Sequence, residues 1–180
     1  FNDCKLINLK QKLLFLAILG LIFSFNVFSQ KIIPVAAGPG AISAAYASAD
    51  AGDILELTTD GGIYVEPARL SIDKALTIRA AVGLSSKPTW ASDDPNYMIK
   101  LSAGLTLQGI AFDGLQGASK TIGALDIRLI GGNVKIYNCD FVNMSDPAGA
   151  DGKAIYGTSS AQADSLIIVG CTFANIVKQG

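Results

Sequence analysis

Histidine is missing from the side chains that could move a proton or hold an anion: the 180-residue chain contains none. That excludes His-centred triads, the commonest general base near neutral pH and the usual zinc sites. A base here would have to be lysine, arginine or tyrosine. Lys100 and Arg128 are the most suggestive pair. Each stands just before a leucine at the end of a short apolar run, in Ile99-Lys100-Leu101 and Ile127-Arg128-Leu129. Both are expected to project outward from adjacent layers and meet an anionic ligand. The alternative for the same two residues is a solvated charged face. Tyr97 and Tyr137 are candidates for stacking on the rings of a ligand, or for covering exposed sheet.

A hard cation needs several oxygen ligands at once. Asp146 and Asp151 share one loop, with Asp140 on the strand before it. Their spacing fits neither an EF-hand nor a nonapeptide β-roll, so no metal site is assigned and no cofactor is evident. Asp113 and Asp140 are expected to share a repeat position and stack outward, holding a cation or tolerating each other through solvent screening. Cys139 and Cys171 lie too far apart for a CxxC pair and lack partners for a metal site. They read as buried thiols in adjacent layers, and a disulfide between two parallel side chains in register would have poor geometry.

The elements that must position these residues come from a repeat. LTLQGIAFDGL (Leu105 to Leu115), VKIYNCDFVNM (Val134 to Met144) and LIIVGCTFANI (Leu166 to Ile176) align position for position. Positions one and three are apolar, and the eighth is Phe112, Phe141 or Phe173. The fifth is Gly109, Asn138 or Gly170, the residue types that tolerate a left-handed backbone. A fainter copy starts at Leu76 and lacks the Phe. Two short strands with a bend between them, repeated about every 30 residues with no amphipathic helix, predict an all-β parallel β-helix of about four coils. Like residues would then stack between coils about 4.8 Å apart. Asn143 over Asn175 would bond side chain to backbone along such a ladder, which accounts better for Asn143 than the glycosylation sequon it begins. Third strands are expected at Tyr97–Leu101, Ala124–Leu129 and Lys153–Gly157.

Ahead of the coils, Ile42, Ala45, Tyr46 and Ala49 fall at helical spacing with Gly52 as a stop, predicting a short helix that caps the open end of the solenoid. Residues 30–40 read as a linker and 41–180 as the β-helix. The fourth copy leaves an apolar end uncovered, so the chain is expected to be the N-terminal part of a longer domain. Residues 1–29 carry three lysines, the apolar run Leu13–Phe23 and small residues at Val27 and Ser29. That is the pattern of a secretory signal peptide, with an uncleaved anchor as the alternative. The rest has 11 basic and 14 acidic residues, a net charge of −3. Nothing in that balance calls for nucleic acid or a membrane surface.

One set of residues carries a family resemblance: the Gly52-Asp53 strand entry, Gly62-x-Tyr64 and Leu76-Thr77-Ile78, within AGDILELTTDGGIY (Ala51–Tyr64) and LSIDKALTIRAAVGLSSKP (Leu70–Pro88). They resemble the start of pectate-lyase-like right-handed β-helix proteins, nearest to secreted Bacteroidetes proteins related to the chondroitinase B and alginate lyase group, polysaccharide lyase family six. The resemblance spans Ala41 to Ile176. It implies a right-handed solenoid and enzymes that use a basic residue to take the proton beside a uronate carboxylate, often with calcium neutralising that carboxylate. The catalytic residues of the group lie on later coils, and none is carried over to this chain. On this resemblance the protein is expected to be secreted, periplasmic or on the cell surface. It would act on or bind an acidic polysaccharide, as a lyase or as a non-catalytic adhesin or glycan-binding module, with Lys100 and Arg128 as glycan contacts. A structural spacer is the third reading. A monomer is expected, with no membrane association once the signal is cleaved.

Overall fold

The computed structural model describes residues 29–118, 120–145 and 152–177. Three short strands make each coil. The first is β2 (Ile54–Leu57), β3 (Ile63–Glu66) and β4 (Leu70–Ile72); the second is β5 (Leu76–Ala80), β6 (Thr89–Ser92) and β7 (Tyr97–Leu101). The third is β8 (Leu105–Gln108), β9 (Ala111–Asp113) and β10 (Gly123–Ile127); the fourth is β11 (Asn133–Tyr137), β12 (Asp140–Val142) and β13 (Lys153–Gly157). β14 (Ser165–Val169) and β15 (Thr172–Ala174) begin a fifth. Corresponding strands pair in parallel and form three sheets: β1-β2-β5-β8-β11-β14, β3-β6-β9-β12-β15 and β4-β7-β10-β13. This is the parallel β-helix that the repeat predicts, with the right-handed crossovers usual for parallel strands.

The bends fall at the fifth repeat position. Gly109, Asn138 and Gly170 have φ of 71°, 52° and 65°. In that left-handed conformation the chain changes direction and shifts the inward side chains by one position, which accounts for the broken alternation at Ile136 and Cys139. Inside, Leu76, Leu105, Val134 and Leu166 are register partners, and so are Leu55, Ile78, Leu107, Ile136 and Ile168. Phe112 stacks on Phe141 with ring centroids 5.1 Å apart and planes 5° apart, and Phe141 stacks on Phe173 at 5.1 Å and 10°. Trp90 continues the stack below Phe112 at 5.7 Å, and Tyr64 is its register partner. The second coil thus does carry an aromatic at this place. The longer connection through residues 81–88 displaces it from the sequence alignment. The asparagine ladder runs from side chain to side chain rather than to the backbone: Asn175 Nδ2 donates to Asn143 Oδ1 at 3.0 Å, and Asn143 Nδ2 donates to Asp113 Oδ1 at 2.9 Å.

Helix α1 (Ala41–Ser48) covers the first coil with Ile42 fully buried. Its N-terminus has no side-chain cap of its own. Glu66 at the end of β3, itself completely buried, accepts the Ile42 and Ser43 amides at 2.9 and 3.2 Å. A carboxylate at a helix N-terminus satisfies orphan donors and complements the helix dipole. Segment 30–40 is not the expected linker. β1 (Ile32–Val35) pairs in register with β2 and forms the edge strand of the six-stranded sheet. Cys139 and Cys171 are both free thiols, and burial pushes the Cys139 thiol up to about 11. Residues 1–28 lie outside the described residues, and the signal-peptide reading with them; among the described residues no helix is long and apolar enough to cross a membrane.

Candidate functional site on the four-stranded sheet

Strand alternation sends Leu70, Ile72, Ile99, Leu101, Leu125 and Ile127 of the four-stranded sheet inward. The residues between them form an outward row in register: Ser71, Lys100, Asp126 and Tyr156. Arg128, two residues beyond Asp126, leaves from the same side. Its Nε donates to Asp126 Oδ2 at 2.8 Å. Arg69, just before β4, brings Nη1 to 3.7 Å from the same oxygen. The Asp126 side chain is 1% exposed, against 47% for Arg128 and 31% for Arg69. Its other oxygen, Oδ1, is buried without a hydrogen-bond partner. Lys100, the register neighbour of Asp126, forms no ion pair among the described residues. Two arginines therefore flank one buried carboxylate, with Lys100 beside it in register, while Asp94 accepts the Arg69 backbone amide at 3.2 Å.

An aromatic pair adjoins the cations. Tyr97 of β7 and Tyr156 of β13 stack at 5.7 Å with ring planes 18° apart, although β10 runs between their strands. Gly123 allows this. A Cβ there would fall on the Lys153 carbonyl oxygen and lie 2.7 Å from Tyr97 Cε1. Lys153 Nζ sits 5.0 Å from the centroid of the Tyr156 ring, a cation–π contact. Guanidinium groups bind carboxylates in a two-pronged fork. Arginines, a lysine and a tyrosine pair on one flat sheet can therefore hold an anionic sugar chain.

No protein-family model and no curated protein matches the chain. Solved structures do. The PL6 family alginate lyase AlyGC superposes with a TM-score of 0.68 at 23% identity, over 83% of this chain and 21% of that one. An arginine-to-alanine mutant of the same lyase gives 0.68 at 25% over the same shares. The fold is that of a PL6 alginate lyase. This bears out the resemblance seen at the Gly52-Asp53 entry and in the coil repeat. The chain spans about a fifth of the length of these lyases.

The lyase-type solenoid brings Lys100 and Arg128 to one site, but not as direct neighbours. Lys100 pairs in register with Asp126, and Arg128 returns to it through the Asp126 carboxylate. The Asp126-Ile127-Arg128 spacing, two residues apart on a strand, is the sequence signal for this arrangement. Tyr137 lies elsewhere, on the outer face of the six-stranded sheet between Gln108 and Val169. Asp113 and Asp140 do not share a repeat position: Asp113 pairs with Val142, and Asp140 with Ala111. Asp113 Oδ1 accepts the Leu115 amide at 3.0 Å as well as Asn143, closing a turn. Asp140 is taken by Lys87 at 2.7 Å and by the Thr172 hydroxyl at 2.6 Å. Asp146 and Asp151 lie outside the described residues. Among the described residues no three acidic or thiol groups cluster as metal ligands. A shallow cleft of about 350 Å³ lies on another flank, beside Thr77, Thr106, Asn133 and Lys135. It has one cation where the four-stranded sheet has several, and charge decides between them for an anionic ligand.

Proposed function

We propose that the protein engages an acidic polysaccharide through the outer face of its four-stranded sheet, and that it is a secreted polysaccharide lyase whose reacting groups lie on coils beyond this chain. The observation that carries the binding half is the pair Arg69 and Arg128 on the buried carboxylate of Asp126, with Lys100 its register neighbour, beside the Tyr97–Tyr156 pair. The lyase half is supported by the fold shared with PL6 alginate lyases. β-Elimination at a uronate requires a base for the proton beside the carboxylate and positive charge to stabilise the enolate-like intermediate. The leaving sugar oxygen departs as the ring acquires a double bond conjugated to the carboxylate. On this chain the cationic face would hold the polymer while that step occurs elsewhere.

The test is an ultraviolet assay of the intact protein against alginate, pectate, chondroitin sulfate and dermatan sulfate. Growth of unsaturated-uronate absorbance with one of them is the expected result. Saturable binding without any absorbance would instead mean a non-catalytic glycan-binding module or adhesin, and neither absorbance nor binding would refute both.

A further inference from the structure

The Asp126 carboxylate is costly where it is. A charged group with 1% exposure and one oxygen unpartnered loses hydration that a partly exposed arginine does not fully return. Arg128 is about half exposed, so solvent screens the pair and its contribution to stability is small. What the contact does do is fix a direction. Asp126 Oδ2 takes the Nε edge of Arg128 and draws Nη1 of Arg69 toward the same point. Among the described residues, Arg128 uses only Nε, which leaves both Nη groups to donate on the exposed side.

Resting on the glycan-binding reading above, we infer that Asp126 is the positioning residue of a carboxylate clamp, which holds Arg128 so that its Nη pair receives the carboxylate of a uronic acid residue. The two parallel N–H groups match two carboxylate oxygens in one plane. Lys100, on the other side of Asp126 in the row, adds a point charge. Tyr156, one strand further at the ordinary sheet spacing of about 4.8 Å, borders the clamp, with Tyr97 stacked on its ring and the Lys153 ammonium over it. The ligand class this selects is a uronate polymer recognised at its carboxylate, in preference to a neutral glycan.

The sign of one substitution separates positioning from mere proximity. Removing Asp126 raises the positive charge of the face. If the carboxylate were a bystander, anionic ligands would bind more tightly to Asp126→Ala. As a positioning residue its loss frees Arg128, and binding weakens despite the added positive charge. The measurement is calorimetric affinity of the intact protein for an oligouronate, with the carboxyl-reduced oligosaccharide as control. Expected are about 10-fold weaker binding for Asp126→Ala, a similar loss for Arg128→Lys, and no further loss in the double variant. If Asp126→Ala does not fold, Asp126→Asn keeps the shape and gives the same sign at smaller amplitude. Unchanged or tighter binding by a folded Asp126 variant, with Arg128→Ala weakened, overturns the positioning role and leaves the glycan reading standing. Wild-type affinity that is absent, or untouched by both Lys100→Ala and Arg128→Ala, overturns the glycan reading of this face and the clamp with it.

Discussion

The inside of the five-stranded sheet and the outside of the four-stranded sheet follow opposite rules. Inside, the same place holds Tyr64, Trp90, Phe112, Phe141 and Phe173 in successive coils, and from Trp90 onward each ring stacks on the next. Outside, the corresponding row reads Ser71, Lys100, Asp126, Tyr156, with no type repeated. A stacked interior constrains every coil alike, since close packing penalises both cavities and excess volume. A solvent-facing row has no such constraint and is free to be assembled for a ligand. In this solenoid the repeat carries stability, and the departures from the repeat carry the candidate chemistry.

The sharpest break of that comparison is to put an outside residue inside. Phe141→Asp places a charge between two rings 5.1 Å away on either side. With no partner for that charge, the coils are expected not to fold, read as loss of the β circular-dichroism signal. A soluble variant with the wild-type melting temperature would refute the stacked core. Next in size is the reverse intrusion on the outer face. Gly123→Ala pushes a methyl group against the Lys153 backbone and Tyr97, with an expected cost of roughly 1–3 kcal/mol in denaturant unfolding and disruption of the tyrosine pair.

The smallest effect belongs to the cap, which titrates where the aromatic stack does not. The Asp50 and Lys31 amides, donating to Asp53, pull its carboxyl below the ordinary 3.8. A depressed folded-state pKa gives stabilisation that is present above the unfolded value and is lost as pH falls through the folded one. Hydrogen exchange should therefore show the segment joining β1, α1 and β2 loosening first on acidification below pH 3.8, ahead of the aromatic coils, and less steeply in Asp53→Asn. Simultaneous loosening of cap and coils would contradict this order.

The same contrast explains what could be read in the sequence. Residues that repeat announce themselves: Phe112, Phe141 and Phe173, and the bends at Gly109, Asn138 and Gly170, were legible because stacking imposes one period on all of them. Trp90 obeys the same physics but was hidden by the extra length between β5 and β6. Glu66 could not be assigned to the helix it caps, because the two meet only after β2 and β3 have been laid down, 24 residues apart. On the outer face Lys100 and Arg128 were visible as charges at strand ends, but their register was not. A shift of two residues put Asp126 beside Lys100, and with it the group that organises the site. Tyr156 joins Tyr97 only because Gly123 lies between them, a relation that no local pattern encodes.

A crystal structure of the intact protein soaked with a uronic acid tetrasaccharide tests the central claim most directly. The account predicts density over the four-stranded sheet, with a sugar carboxylate on the Arg128 Nη pair. An oligosaccharide bound only elsewhere on the solenoid, with this face bare, would contradict it.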